Sequence, residues 1–391
     1  MEISQSLRAE PCPRLVVSPR VRLDYPAEGE DQQQGVNRMQ HAAGPHVRGD
    51  LSSARRRAAA FLDNLPIEEN YEPIVRQNWI ARWTEIGDDY CLLGDLNRKK
   101  GAFHDATEAC LCALTAFEVA RRLADGEGSQ YRELLSKVEA GIRRFDLSLD
   151  QKIEQVQIAC HDQTELPAYY LPASNLHFCA PSVICISGEQ ETGATLLGRL
   201  LPVVFGRRMS VLVISHDDVS NHSHSQPEIL LSCCLDYLSV RPDVDATRIG
   251  LYGEGLSAVL ATDFAASDRR LAAAVCDGGL WNWARILASV GWMTRTAETI
   301  DEEVVSARRS QLVRQLKCPV LVVAGGRGIV SVPEAIKLQA DCMTARIDLE
   351  LAIPRMIRTP EGVEIENFVI SDDCTFRWLE HKLARSSVPG A

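Results

Sequence analysis

Along the first part of the chain apolar residues recur every three to four positions; beyond about residue 150 they gather into short unbroken runs. The first pattern predicts helices, the second buried strands. From "SARRRAAAFLDNL" to about Leu147 the helical period persists and no strand signal interrupts it. "HDATEACLCALTAFEVARRLADG" starts near Asp105, keeps one apolar face and stops before Gly126, and "YRELLSKVEAGIRRF" predicts a further helix. After about Gln151 the runs "PSVICIS", "MSVLVIS", "RIGLYG", "LAAAVCDG", "PVLVVAGG" and "IDLELAI" alternate with helical stretches. Continuous apolar strands separated by helices indicate an α/β fold, a mostly parallel sheet covered on both faces. Residues 1–50 hold Pro, Gly, Gln and charge without a sustained period and read as a loosely ordered arm. The expected division is therefore an arm over 1–50, a helical domain over 51–150 and an α/β domain over 151–391.

In a sheet of this kind ligands sit beyond the carboxyl ends of the strands. The informative loops are those after Ser187, Ser215, Gly253, Gly278, Gly326 and Ile353. Composition narrows what could bind there. The net charge of −11 disfavours nucleic acid and anionic membrane surfaces as partners. No run of about 18 apolar residues suggests a membrane span, and the N-terminus lacks an apolar signal core. The 13 cysteines are scattered, with no C-x-x-C pair, and most read as buried thiols in a reducing compartment. A cytoplasmic protein acting on a small molecule is the expectation. No glycine-rich dinucleotide or phosphate loop is present, so no cofactor is expected.

The succession "ICISGEQET", "VLVISHDD", "RIGLYGEGLSA", "AAAVCDGG" and "CPVLVVAGGRGIV", placed behind a helical region, resembles the two-domain α/β hydrolases of the 2,6-dihydroxypseudooxynicotine hydrolase type. The fermentation/respiration switch protein and the fungal polyketide-shortening hydrolases are similar. The resemblance covers roughly residues 55–385. It implies an α/β-hydrolase fold with an N-terminal helical cap domain, a lid over about 280–315, and a homodimer. It also implies where a Ser-Asp-His triad would stand. The nucleophile position, at the apex of "GEGLS", is Gly255; the acid position, in "AGGRGIVSVP", is Gly328. The histidine loop corresponds to "EGVEIEN", where Val363, Glu364 and Glu366 are the nearest matches. The one histidine beyond residue 224, His381, lies in the final helical pattern. All three roles are missing from these positions, and a serine hydroxyl without a base is a poor nucleophile.

The remaining candidates lie on the rim loops. Ser257, two residues past the apex, reads either as a shifted nucleophile or as a small residue in the first helical turn. The loop "SHDDVSNHSHS" brings His216, Asp217, Asp218, His222 and His224; it reads as a solvated polar loop, in which His216 and Asp218 could instead transfer protons, whereas a metal site is not expected. Glu364 and Glu366 could serve as acid or base, or be a surface pair. Gln190 and Glu191 in "SGEQET", the backbone N–H groups of Leu256 and Ser257, Cys276 and Trp281 are expected around the substrate, with Trp283 and Trp292 in the lid. Three functions follow as expectations. The first is a divergent enzyme that stabilises an oxyanion and moves protons on a carbonyl-containing small molecule, by elimination, C–C cleavage or cyclisation. The second is a non-catalytic binding or regulatory protein, and the third a serine esterase using Ser257.

Overall fold

The structure is a computed structural model that describes residues 50–65, 73–124, 126, 128–149, 152–160, 165–174, 179–220, 226–279, 314–324, 332–354, 356–358 and 364–384. The arm over 1–49 and most of the expected lid therefore lie outside the described residues. Four helices come first: α1 (Leu51–Asp63), α2 (Pro73–Lys99), α3 (Phe103–Leu123) and α4 (Ser129–Leu147). Asp50 caps α1 by accepting from the Ser53 N–H at 2.7 Å, satisfying one of the donors a helix start leaves open. In α3 the small residues Ala106, Ala109, Cys110, Cys112, Ala113, Ala116 and Ala120 are all buried. Small side chains let neighbouring helices approach closely, and α3 packs against α1, α2 and α4.

The sheet has eight strands in the order β1-β2-β4-β3-β5-β6-β7-β8. They are β1 (Glu154–Ala159), β2 (Glu165–Leu171), β3 (Ala180–Ile186), β4 (Ser210–Ile214), β5 (Val244–Glu254), β6 (Leu271–Asp277), β7 (Val320–Val323) and β8 (Leu349–Ala352). From β4 through β8 all pairings are parallel. The six runs read as buried strands form this part, and β3, β4 and β7 are buried along almost their whole length. β1 and β2 add an antiparallel edge that the run pattern does not announce. Their burial alternates, so each side of the strand carries a different chemistry. A separate two-stranded ribbon joins β9 (Met356–Arg358) to β10 (Glu364–Glu366).

The crossovers are α5 (Gly193–Val204), the short α6 (His216–Ser220), α7 (Pro227–Ser239), α8 (Ser257–Ser267) and α9 (Val332–Ala345), with α10 (Phe368–Lys382) last. The helical layer is joined to the sheet within one compact unit, Gly49–Ala391. α3 and α4 pack on α5. Asn367 ties the start of α10 to α1, its Nδ2 donating to the Ala59 carbonyl at 3.0 Å and to Asp63 at 2.9 Å. Chain direction reverses at β3: the path moves outward to β4, then back across β3 to β5. That is the switch point at which such sheets open a crevice.

Candidate functional site

The carboxyl ends of β3, β4, β5 and β6 meet around the turn that joins β5 to α8. Gly253, Glu254 and Gly255 lead into it, and Leu256 precedes the first residue of α8, Ser257. Gly255 has φ +59, a left-handed conformation that costs glycine little and other residues more. Its N–H donates to the Asp277 carbonyl at 2.8 Å, fastening the apex to the end of β6. At Gly253 any Cβ would run into the Ser257 carbonyl. The absence of a side chain at this position is what lets α8 fold back against β5.

No side chain projects from the apex itself. The space is taken by Glu189, from the loop after β3. A Cβ built on Gly255 would lie 2.5 Å from Glu189 Oε2. The same oxygen accepts from the Leu256 N–H at 3.1 Å. This is the backbone donor that follows the apex, the kind of group that receives negative charge during acyl transfer. Glu189 is exposed, whereas the loop around it is tightly held. Ser187 Oγ donates to the Glu191 carbonyl at 2.6 Å, and the Glu191 N–H donates to the Gly188 carbonyl at 3.1 Å.

Ser257 is fully buried at 0% exposure. Its hydroxyl donates to the Ser187 carbonyl at 2.7 Å. His216 Nδ1 lies 2.7 Å from the same Oγ. A hydroxyl has one proton, and a carbonyl can only accept. The short contact to the imidazole is therefore made by an Nδ1–H donating to Ser257 Oγ, and this network assigns the proton to Nδ1. Nε2 then carries the lone pair. The His216 backbone is held as well, its N–H donating to Ser187 Oγ at 3.1 Å. Burial pushes the His216 pKa below 6.5, opposed by the nearby charges of Glu189 and Asp217. The imidazole is thus neutral and basic near neutral pH.

Beneath the turn lies a buried ionic layer. Arg199 of α5, fully buried, bonds Asp372 of α10 at 2.6 Å and pairs with Glu254. Tyr252 stands 3.0 Å from Glu254 and 2.9 Å from Asp277. Arg121 of α3 pairs with Glu118 at 2.8 Å and also with Glu191, while Arg122 reaches Glu191 at 3.2 Å. Ion pairs out of water need close geometry to offset desolvation, and these span the helical layer, α5, β5 and α10.

The expected site residues separate into three groups. His216, Ser257 and Leu256 come together at the turn. Ser257 stands at the first position of α8 rather than at the apex, and its hydroxyl is out of reach of solvent. Other residues are present but engaged elsewhere. Glu191, expected near the substrate, points to the arginines of α3. Cys276, also expected there, is fully buried with its Sγ 3.2 Å from Thr262 Oγ1, and burial pushes its thiol up to about 12. Glu366, expected either as an acid or base or in a surface pair, is buried. Gln190 is exposed on the loop, and Asp218 is half-buried in α6. The third group lies outside the described residues: His222, His224, Trp281, Trp283, Trp292, Gly328, Val363 and the Glu364 side chain. Among the described residues no three His, Cys, Asp or Glu side chains converge as metal ligands, and no helix is long and apolar enough to cross a membrane. The resemblance to α/β hydrolases places Glu189, with Gln190 and Glu191, in the "SGEQET" loop expected near the substrate, but it gives neither the contact of Glu189 with Leu256 nor a role for Ser187. No local signal marks either one, because both contacts join loops far apart in the chain.

No protein-family profile matches this chain, and no curated protein does. Solved structures do match. The 2,6-dihydroxy-pseudo-oxynicotine hydrolase superposes with a TM-score of 0.53 at 16% identity, over 85% of this chain and 95% of that one. A Pyrococcus furiosus esterase gives 0.45 at 13% identity, over 60% of this chain and 92% of that one. AbyA5 gives 0.44 at 16%, over 76% and 85%. The first of these, together with the strand order, shows the α/β-hydrolase fold.

Proposed function

We propose that this α/β-hydrolase-fold protein is an enzyme that moves protons on a carbonyl-containing small molecule without forming an acyl-serine. The supporting observation is the pairing of Ser257 with His216. The serine hydroxyl is buried and gives its proton to the Ser187 carbonyl. It serves as a fixed acceptor that orients the imidazole, leaving Nε2 as the base. Gly255 offers no nucleophile at the apex, and the triad is read as degenerate.

In this reading His216 Nε2 removes a proton next to the substrate carbonyl. The Leu256 N–H, after Glu189 moves aside, receives the enolate oxygen. Elimination, C–C cleavage of the retro-aldol type and cyclisation all pass through such an intermediate. A positioned base is worth about 10²–10⁴-fold, and one preorganised donor about 2.7–4 kcal/mol.

A second reading, a non-catalytic binding or regulatory protein, is favoured by one observation: the donor at the turn is occupied by Glu189. Solvent exchange separates the two. Ketones and 1,3-diketones incubated with the protein in D2O would gain deuterium at the α-carbon, followed by proton NMR. His216→Gln is expected to slow exchange about 100-fold or more. Ligand binding without exchange above buffer would leave the binding reading standing. Fluorophosphonate labelling of Ser257 would instead favour an esterase.

A further inference from the structure

We infer that Glu189 sets the charge class of the ligand, so that the turn after β5 accepts uncharged carbonyl compounds and turns away carboxylates. This rests on the reading of that turn as the carbonyl-binding site. The Glu189 carboxylate stands in the volume an apex side chain would fill, with Oε2 at 2.5 Å and Cδ at 3.5 Å from a Cβ built on Gly255. It takes the Leu256 N–H. A ligand oxygen reaching that donor must displace it.

The charge cannot leave with its loop. Ser187 Oγ holds the Glu191 carbonyl, Glu191 N–H holds the Gly188 carbonyl, and the Glu191 side chain is paired with Arg121 and Arg122. Only the Glu189 side chain turns, and it remains beside the site. Nearby cations already have carboxylate partners: Arg121 and Arg122 bond Glu118 and Glu191, and Arg199 bonds Glu254 and Asp372. Asp217, exposed in α6, adds a further negative charge near His216. A carboxylate ligand would therefore sit against a carboxylate, with the imidazole uncharged.

A neutral carbonyl compound meets a different balance. Its proton passes to Nε2, creating an imidazolium and an enolate together. The displaced Glu189 then faces a cation, and the enolate oxygen takes the N–H. No net charge is added to the site, since the imidazolium offsets the enolate, whereas an ionised ligand brings a negative charge with no such partner.

The test uses the full chain, 15N-labelled, with phenylacetone and phenylacetate as a matched neutral and anionic pair. The Leu256 amide signal reports occupancy at equilibrium, whether or not turnover occurs. The native protein is expected to bind phenylacetone at least about tenfold more tightly than phenylacetate. Glu189→Gln keeps an acceptor for Leu256 and removes the charge. It is expected to raise phenylacetate affinity about tenfold and change phenylacetone affinity less than about threefold. Glu189→Asp keeps the charge and is expected to keep the preference. An unchanged ketone-to-carboxylate ratio in Glu189→Gln, or a native preference for phenylacetate, would overturn the inference. Absence of any Leu256 response in all three proteins would overturn both it and the carbonyl site. A ratio that shifts while no deuterium exchange occurs sustains charge selection and removes only the enzyme reading.

Discussion

At the residue scale the turn after β5 brings together Gly255, Leu256, Ser257, Glu189 and His216. The residue at the apex has no side chain, and the serine two positions later is buried at the start of α8, with His216 Nδ1 2.7 Å from its Oγ. Two outcomes follow. Replacing Ser257 by Ala removes the partner of the His216 Nδ1–H and leaves the Ser187 carbonyl without its donor. The expected cost is about 1–3 kcal/mol in chemical denaturation; on the proposed proton-transfer reading the replacement also slows deuterium exchange. The second outcome concerns pH. His216 has a pKa below 6.5 in the folded protein, chiefly because it is buried. The unfolded chain therefore binds more protons than the folded one as pH falls through 6.5, and stability decreases in that direction. Above 6.5 this contribution is fully present. Denaturation of the native protein and of His216→Gln, compared between about pH 5 and 8, is expected to show a steeper acid-side loss in the native protein. A parallel pair of curves would remove the buried neutral imidazole.

At the scale of elements, the site is held from below by Arg199 on α5, which joins the end of β5 to α10 through Glu254 and Asp372. Its replacement by Leu is expected to cost about 3–5 kcal/mol, because a broken buried pair leaves charge behind in a dry environment. Urea unfolding measures this directly; a loss below about 1 kcal/mol would place the layer in the range of exposed pairs. The helices and the parallel strands were legible in the chain, since burial on both faces makes a strand continuously apolar, as in "VICI" and "VLVI". β1 and β2 were not. "EQVQIA" and "ELPAYYL" mix polar and apolar positions because one side faces solvent, and the sheet rather than local preference extends them.

For the whole molecule, the helical layer and the sheet share a single compact unit. Arg121 reaches from α3 to the rim loop through Glu191, and Arg55 of α1 donates to the Val369 carbonyl of α10 at 3.3 Å. A fragment comprising 151–391 would expose the face of α5 that α3 and α4 cover. It is expected to be aggregated, or expanded with dye-accessible apolar surface, when examined by light scattering and dye binding. A monodisperse, cooperatively unfolding fragment would show that the sheet domain is self-sufficient.

Periodicity along the chain was enough to specify the helical region, the central parallel strands and the rim loops between them, because each depends on the spacing of neighbouring residues; the position of Gly255 at the apex came from the resemblance to α/β hydrolases. Which rim residues touch was settled by folding. Glu189 and Leu256 are 67 positions apart, and His216 and Ser257 are 41 apart. Their contacts exist because parallel strands bring distant loops to one edge of the sheet. The same packing turned Glu191 toward α3, and residue type alone carries no record of that.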